Sequence, residues 1–140
     1  MPVGREELVA WINERHAHTV LGALDVAYTS FEPDSVTLEV PVTEALFQHA
    51  GVVHGGVYVL LAESAASTAA ALSVDVRQVN VRGMAINANH LRAVSEGRLI
   101  ATATPIHRGR SSHVYSIQVE NEEGQLLSVS RCTIAVLPRN

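Results

Sequence analysis

The sequence predicts an α+β domain in which one long central helix is wrapped by an antiparallel sheet of about six strands. Three observations lead to this prediction. One long apolar segment, residues 56–73, lies near the middle of the chain. Two strand-like segments precede it, and four follow it. Short polar or glycine-containing turns separate the strands, so strands that are neighbours in sequence are expected to pair antiparallel.

The elements before the long helix are a short helix and a hairpin. Residues 4–16 predict an amphipathic helix because Leu8, Trp11 and Ile12 fall on one face. Residues 22–32 and 35–42 alternate in the manner of strands. The sequence Glu-Pro-Asp-Ser between them is typical of a turn, which predicts a hairpin.

The long helix and four later strands complete the predicted fold. Residues 43–55 are expected to be irregular, and helix 56–73 is apolar nearly all round, so we expect it to be buried on most sides. The whole chain is predicted to be a single domain, 1–140, with an N-terminal helical extension, 1–20, and its exposed sheet edges invite pairing with a second copy. The four strands are predicted at 81–93, 97–107, 112–121 and 126–137.

Composition restricts the classes of function. The chain has 140 residues, of which 47% are apolar and 17% charged, which is typical of a globular domain. The net charge of −4 disfavours general nucleic-acid binding. All ten basic residues are arginine, which excludes Schiff-base chemistry at a lysine. Cys132 is the only cysteine, so an intrachain disulfide and a cysteine zinc site are excluded.

Location and metal content are expectations of the same kind. The charged N-terminal segment lacks the apolar core of a signal peptide, and polar residues interrupt the most apolar stretch, 57–74. No histidine spacing is typical of a metal site. We therefore expect a cytoplasmic protein that does not associate with a membrane and holds no metal.

Glu63 is the main candidate for a chemical role. It is the only charged residue between Gly56 and Val74, in a helix that is predicted to be buried. Burying an unpaired carboxylate costs several kcal/mol, so an acid on an apolar helix usually has a partner or a task. The alternatives are that Glu63 faces solvent, or that it pairs with an arginine such as Arg82.

The start of the long helix is a candidate oxyanion site. The glycines of His54-Gly55-Gly56 permit a ligand to approach the backbone, and the N–H groups of the first turn favour negative charge. Glu63 follows Gly56 by seven residues and Ser67 follows Glu63 by four, which predicts one common helix face. A plain turn remains an alternative for the glycines, as does a packing hydroxyl for Ser67.

Three other groups of polar residues are weaker candidates. Gln48 precedes the glycines and could orient a carbonyl or a water, although a loop glutamine is usually only solvated. His90 lies in a strand pattern, where a lone histidine is usually an ordinary core or surface residue. Segment 107–112 combines guanidinium, hydroxyl and loop N–H groups, which suits a phosphate but also an ordinary polar turn.

Together these segments resemble the hotdog thioesterases. The resemblance covers about residues 20–137 and is closest to the PaaI-like branch that contains bacterial 1,4-dihydroxy-2-naphthoyl-CoA and 4-hydroxybenzoyl-CoA thioesterases. It implies that two chains pair their sheets edge to edge, that dimers form tetramers, and that the active site lies between subunits. The residues that carry it are Gly51-Val52-Val53-His54-Gly55-Gly56, Leu61-Ala62-Glu63-Ser64, Ile86-Asn87-Ala88-Asn89-His90 and Gly97-Arg98.

The resemblance also implies roles in the hydrolysis of an acyl-CoA thioester, with CoA as part of the substrate and no cofactor. Glu63 would act as nucleophile or as general base for water, and the sequence leaves this choice open. Gly55 would donate the oxyanion hydrogen bond, Gln48 and His54 would position the thioester or water, and Ser67 would assist Glu63. The residues implied to border the CoA arm are Gly83, His90, Leu91, Arg92, Ala93, His107, Arg108, Gly109, Arg110, Ser111 and Ser112.

Two other functions are compatible with the same fold. An enoyl-CoA hydratase or dehydratase needs a base paired with an acid, and Glu63 on the helix fits hydrolysis better. A non-enzymatic acyl-CoA binding module could dispense with the carboxylate, so the presence of Glu63 argues against it.

Overall fold

The order of helices and strands agrees with the prediction of one long helix and six strands. The computed structural model of the chain describes residues 4–140, and a 3₁₀ turn at Glu44–Leu46 precedes the long helix. The helices and strands are α1 (Arg5–His16), α2 (Val20–Ala23), β1 (Ala27–Glu32), β2 (Ser35–Pro41), α3 (Gly55–Leu72), β3 (Val79–His90), β4 (Arg98–Arg108), β5 (Ser112–Glu120) and β6 (Leu126–Pro138).

The six strands form one antiparallel sheet in the order β1-β2-β4-β5-β6-β3. The predicted hairpin of β1 and β2 is confirmed. The expectation that neighbours in sequence pair is wrong for β3, which lies beside β6 at the sheet edge and not beside β4. Both sides of β4 are already occupied by β2 and β5, so β3 cannot pair with β4 and lies instead on the free side of β6.

The N-terminal segment differs from the prediction in two respects. The predicted strand 22–32 begins only at Ala27, because the chain first forms α2 and then turns at Asp25, whose φ is +61°. The Val26 N–H closes this turn by donating to the Leu21 carbonyl at 2.9 Å. The predicted apolar face of α1 is also narrower than expected, since Leu8 and Ile12 pack against the core but Trp11 is 38% exposed.

The core lies between the sheet and one face of α3. The face that packs on the sheet consists mainly of alanines, and the inward side chains of the strands, such as Leu38 and Ile117, are fully buried. Each buried leucine or isoleucine contributes about 1.5–3 kcal/mol of transfer free energy. Helix α3 is also long and apolar enough to meet the length and composition criteria for a membrane span, although the core helix of a globular domain meets the same criteria.

A pair of amide hydrogen bonds fastens α1 to the outer edge of β1. The Asn13 Nδ2–H donates to the Tyr28 carbonyl at 2.8 Å, and the Tyr28 N–H donates to Asn13 Oδ1 at 2.7 Å. On the other side of β1, the Tyr28 hydroxyl lies 2.7 Å from the Thr68 hydroxyl of α3. Asn13 therefore satisfies backbone groups that an edge strand would otherwise leave unpaired.

We expect Asn13→Ala to lower the free energy of unfolding by about 1–3 kcal/mol, because two backbone groups of Tyr28 lose their partners. Urea denaturation followed by circular dichroism measures this change. The control is Glu14→Ala, an exposed neighbour on the same helix, which should change stability by no more than about 0.5 kcal/mol. Equal effects of the two substitutions would contradict the role of the amide pair.

Candidate active site

The N-terminus of α3 begins one residue earlier than predicted and is capped by His54. The Gly56 N–H donates to His54 Nδ1 at 2.8 Å, and the Val57 N–H donates to the His54 carbonyl at 2.9 Å. Between residues 4 and 140, the Gly55 N–H in this first turn has no acceptor. Because Nδ1 of His54 accepts, the neutral imidazole carries its proton on Nε2, which faces away from the cap as a donor.

The loop before α3 is held by backbone hydrogen bonds to its surroundings. The Val53 N–H donates to the Val94 carbonyl at 2.9 Å, and the His54 N–H donates to the Leu46 carbonyl at 2.8 Å. In the same loop, the side-chain carbonyl of Gln48 accepts from the Ala50 N–H. That contact orients the amide of Gln48 so that its NH₂ group points away from the turn and can donate elsewhere.

His90 lies directly against Gly55. A Cβ atom at Gly55 would stand 2.9 Å from His90 Cδ2 and 3.0 Å from His90 Nε2, so the imidazole can approach this closely because residue 55 is glycine. The residues around this contact border a hollow of about 300 Å³, which is lined by Val53, Gly55, Tyr58, His90, Leu91, Arg92 and Ala93. The last four of these are predicted CoA-binding positions.

Two side chains that the sequence did not single out hold His90 in place. Its Nδ1 lies 2.9 Å from the hydroxyl of Ser128 on β6, and its ring packs on the Tyr58 ring with centroids 5.1 Å apart. The Tyr58 hydroxyl in turn donates to the Arg92 carbonyl at 3.3 Å. The sequence showed Ser128 only as one polar residue in a strand, and the strand register that places it opposite His90 could not be read from it.

Glu63 lies on the side of α3 that faces β3, and its side chain is exposed in the single chain. The expectation that α3 is buried on most sides is therefore wrong at this position. Among the described residues Glu63 makes no ion pair, and Arg82 donates instead to the carbonyl of Val81 at 2.8 Å. A hydrated carboxylate on the surface avoids the desolvation cost that made the buried arrangement improbable.

Gly83 on β3 leaves space for the Glu63 carboxylate because it has no side chain. A Cβ atom at Gly83 would stand 2.7 Å from Glu63 Oε1 and 2.8 Å from Glu63 Cδ. The ladder between β3 and β6 shifts register between Gly83 and Ala85, so Met84 bulges outward and is 62% exposed. Gly83, predicted to border CoA, thus contacts the candidate catalytic acid in this chain.

Ser67 lies one turn after Glu63, and both side chains border a second hollow of about 310 Å³. This part of the predicted common helix face is confirmed. Tyr28 and Thr68, whose hydroxyls are bonded to each other, also line this hollow. Its other lining residues are Ser64 on α3 and His16, Thr19, Val20 and Leu21 in the N-terminal segment.

The turn 107–112 lies apart from both hollows. The Gly109 N–H donates to the Ser112 carbonyl at 2.8 Å, which closes a tight hairpin between β4 and β5. The Arg108 guanidinium is 3.2 Å from an oxygen of Asp34 and donates to the Pro33 carbonyl at 3.2 Å, so an acidic residue already neutralises part of its charge. Its pKa is raised, first by a hydrogen bond with Tyr115. His107, Arg110 and Ser111 belong to the same turn, and their contact with CoA stays a prediction.

The predicted site residues therefore fall into three places in one chain. Gly55 and His90 to Ala93 surround the start of α3, Glu63 and Ser67 lie near its middle with Gly83 opposite, and 107–112 borders its end. In the described part of the chain, no three His, Cys, Asp or Glu side chains are arranged to hold a metal ion.

Comparison with known proteins places this arrangement in a class. A model of the thioesterase superfamily matches residues 50–128, more than half of the chain. A mutant of a thioesterase from Pseudomonas aeruginosa has a crystal structure that is 35% identical, with a TM-score of 0.91 and coverage of 94% of both chains. A thioesterase from Haemophilus influenzae is 36% identical, with a TM-score of 0.88 and coverage of 99% of this chain and 93% of that one.

Two curated relatives extend the comparison to proteins with a stated reaction. A 1,4-dihydroxy-2-naphthoyl-CoA hydrolase from Listeria monocytogenes is 43% identical over 113 residues, which is 81% of this chain and 91% of the relative. The protein of the same description from Escherichia coli is 36% identical over 126 residues, 90% and 92% of the two chains. The fold is that of the hotdog thioester hydrolases. This chain belongs to the thioesterase superfamily, as the resemblance predicted.

The Cys132 thiol lies close enough to Glu63 to feel its charge, and its surroundings keep it protonated. The thiol is fully buried on β6. Burial, and then the negative charge of Glu63, raise its pKa from 9.0 to about 11. Since the thiolate is the reactive form, Cys132 is a poor nucleophile near neutral pH.

We expect native Cys132 to resist alkylation by iodoacetamide at pH 8, where a pKa near 11 leaves about one thiol in a thousand ionised. The measurement is the rate of mass increase of the native protein, with the urea-unfolded chain as control. The rate should rise as the pH approaches 11, because the raised pKa holds the proton until then. Equal rates for native and unfolded chains would contradict the assigned environment.

Proposed function

We propose that this protein hydrolyses an acyl-CoA thioester, aromatic or otherwise, to the free acid and CoA. The observation that carries the proposal is the Glu63 carboxylate, which is unpaired among the described residues and stands beside Ser67 at a hollow large enough for an acyl group. The names of the Listeria and Escherichia relatives support the choice of a CoA thioester. A cytoplasmic location remains a prediction from the sequence.

Hydrolysis of a thioester requires mainly a carboxylate and an oxyanion site from the protein. In one route Glu63 attacks the thioester carbonyl and expels the thiolate, and water then hydrolyses the resulting anhydride to release the acid and regenerate the carboxylate. In the other route Glu63 takes a proton from a water that attacks the carbonyl and expels the thiolate directly. The thiolate is a good leaving group, so a strong general acid is not needed. The Gly55 N–H at the positive end of α3 stabilises the oxyanion that forms at the carbonyl oxygen.

One chain cannot bring these two groups together. Gly55 and Glu63 are eight residues apart on a straight helix, which is about 12 Å along its axis. Both must lie within about 3 Å of atoms of the same carbonyl group. We therefore propose that Glu63 of one subunit works with Gly55, Gln48 and His54 of another.

The edge of the sheet supports this assembly. β3 has 12 residues, none of them buried, and its outer side has no partner strand among the described residues. A long exposed edge strand is a template for pairing with a second copy. A two-fold contact through β3 would place the exposed Glu63 side of each α3 against the other subunit, where Gly83 already stands beside the carboxylate. Association of such dimers into a tetramer is a further part of the proposal.

The hollow beside Gly55 is suited to the arm of CoA. It joins the free Gly55 N–H to His90 and to the exposed segment 91–93, which carries Arg92. In the described part of the chain Arg92 and Arg110 make no ion pair, so both guanidinium groups can meet a phosphate of CoA. Arg108 would first have to leave Asp34, which makes its contribution to phosphate binding smaller.

We expect Glu63→Gln to lower kcat for acyl-CoA hydrolysis by about 100-fold or more, since the amide can neither attack nor accept a proton. Thiol release from a panel of aromatic, short-chain and medium-chain acyl-CoAs measures this. Glu44→Gln, an exposed residue outside the site, is the matched control and should retain full activity. If Glu63→Gln keeps more than about a tenth of the wild-type kcat, the assigned role is wrong.

A mixture of two inactive variants tests the shared site. Glu63→Gln and Gln48→Ala chains, co-expressed, should recover about a quarter of wild-type activity, because half of the random dimers are mixed and one of their two sites is intact. Each variant expressed alone is the control. A mixture no more active than the mean of its two parents, or a monomer by light scattering, would contradict an intersubunit site.

A further inference from the structure

Ser128 is a buried polar residue that the mechanism above does not use. It is 2% exposed and lies on β6 directly opposite His90 in the ladder. Its hydroxyl makes two contacts: it donates to the Asn89 carbonyl at 3.2 Å, and it lies 2.9 Å from His90 Nδ1.

The two contacts of Ser128 point to one tautomer of His90. A hydroxyl has one proton, and the Asn89 carbonyl can only accept, so both contacts are hydrogen bonds only when Ser128 donates to Asn89 and His90 Nδ1–H donates to the Ser128 oxygen. If Ser128 donated to Nδ1 instead, its contact with Asn89 would not be a hydrogen bond. A neutral His90 that carries its proton on Nδ1 has a lone pair on Nε2.

The Cδ2–Nε2 edge of the His90 ring faces Gly55. Cδ2 would lie 2.9 Å and Nε2 3.0 Å from a Cβ atom at that residue, and His90 lines the hollow together with Leu91 and Arg92. His54, the residue before Gly55, has the opposite arrangement of protons, because its Nδ1 accepts from Gly56 and leaves Nε2–H as a donor. The start of α3 is thus flanked by one imidazole donor and one imidazole acceptor.

We propose that Ser128 is a positioning residue: it fixes the Nδ1–H tautomer of His90, so that Nε2 accepts a hydrogen bond from an amide N–H in the arm of the substrate. The identity of this ligand rests on the proposed function, whereas the tautomer does not. A lone pair repels a developing oxyanion but complements an N–H, so His90 binds the arm while Gly55 and His54 supply the donors for the carbonyl.

The tautomer is tested directly by the nitrogen chemical shifts of the imidazoles in ¹⁵N-labelled protein at a pH where His90 is neutral. We expect Nδ1 of His90 to be of the protonated type and Nε2 of the unprotonated type in the wild type and in Ser130→Ala, the control two residues along β6. Ser128→Ala should remove this preference, and His90→Asn identifies the signal. A wild-type His90 protonated on Nε2 would overturn the assignment.

The consequence for binding is tested by separating KM from kcat. Ser128→Ala should raise KM for acyl-CoA by about tenfold and change kcat by less than about twofold, because the arm loses an oriented acceptor while the reacting groups stay. Ser128→Thr keeps the hydroxyl and should restore KM. An unchanged KM in Ser128→Ala, failure of Ser128→Thr to restore it, or an equal effect of Ser130→Ala would overturn the role in binding. Absence of turnover in the wild type would count against the proposed function and leave the nitrogen shifts as an independent test.

Discussion

The close packing of α3 on the sheet is the constraint on which the rest of the structure depends. Its buried face is built largely from Ala62, Ala65, Ala66, Ala69 and Ala70, each at most 5% exposed. Alanine has no side-chain entropy to lose and allows a helix to lie close to the strands beneath it. A longer side chain at one of these positions would push the helix outward, and both parts of the site lie on that helix.

Because α3 is fixed in this way, small residues around it decide where functional groups can go. Gly55 admits the ring of His90 at the start of the helix, and Gly83 admits the Glu63 carboxylate near its middle. The acid stays hydrated in a single chain, so its desolvation would accompany assembly instead of folding. Under the proposed assembly, the contacts along β3 offset the cost of burying that charge. The Glu63 carboxylate then acquires its active surroundings only when the dimer forms.

Local sequence patterns were enough to predict much of this fold, but they did not predict which distant strands pair. The alanine-rich run predicted α3 to within one residue at each end, and the turn around Pro33 predicted the hairpin of β1 and β2. The position of β3 beside β6 depends on which strand sides remain open, which alternation along one strand does not encode. Asp25 shows the same limit, since its left-handed conformation belongs to the turn that closes α2, where a stretch of strand was predicted.

Some residues of the candidate site could likewise be predicted from the sequence, and others could not. Glu63 and the glycines could be found from residue type alone, because a lone acid in an apolar helix and a His-Gly-Gly before it are unusual. Ser128 could not, because a serine in a strand has meaning only through the residue opposite it in the register. Yet the two kinds of residue act on one substrate in the proposed mechanism: the helix supplies the charge and the oxyanion donor, and the strand ladder fixes the direction of a hydrogen bond. Rigid pairing of β3 with β6 therefore matters for recognition as well as for stability, since a slip of one residue would turn Ser128 to the other face and release His90.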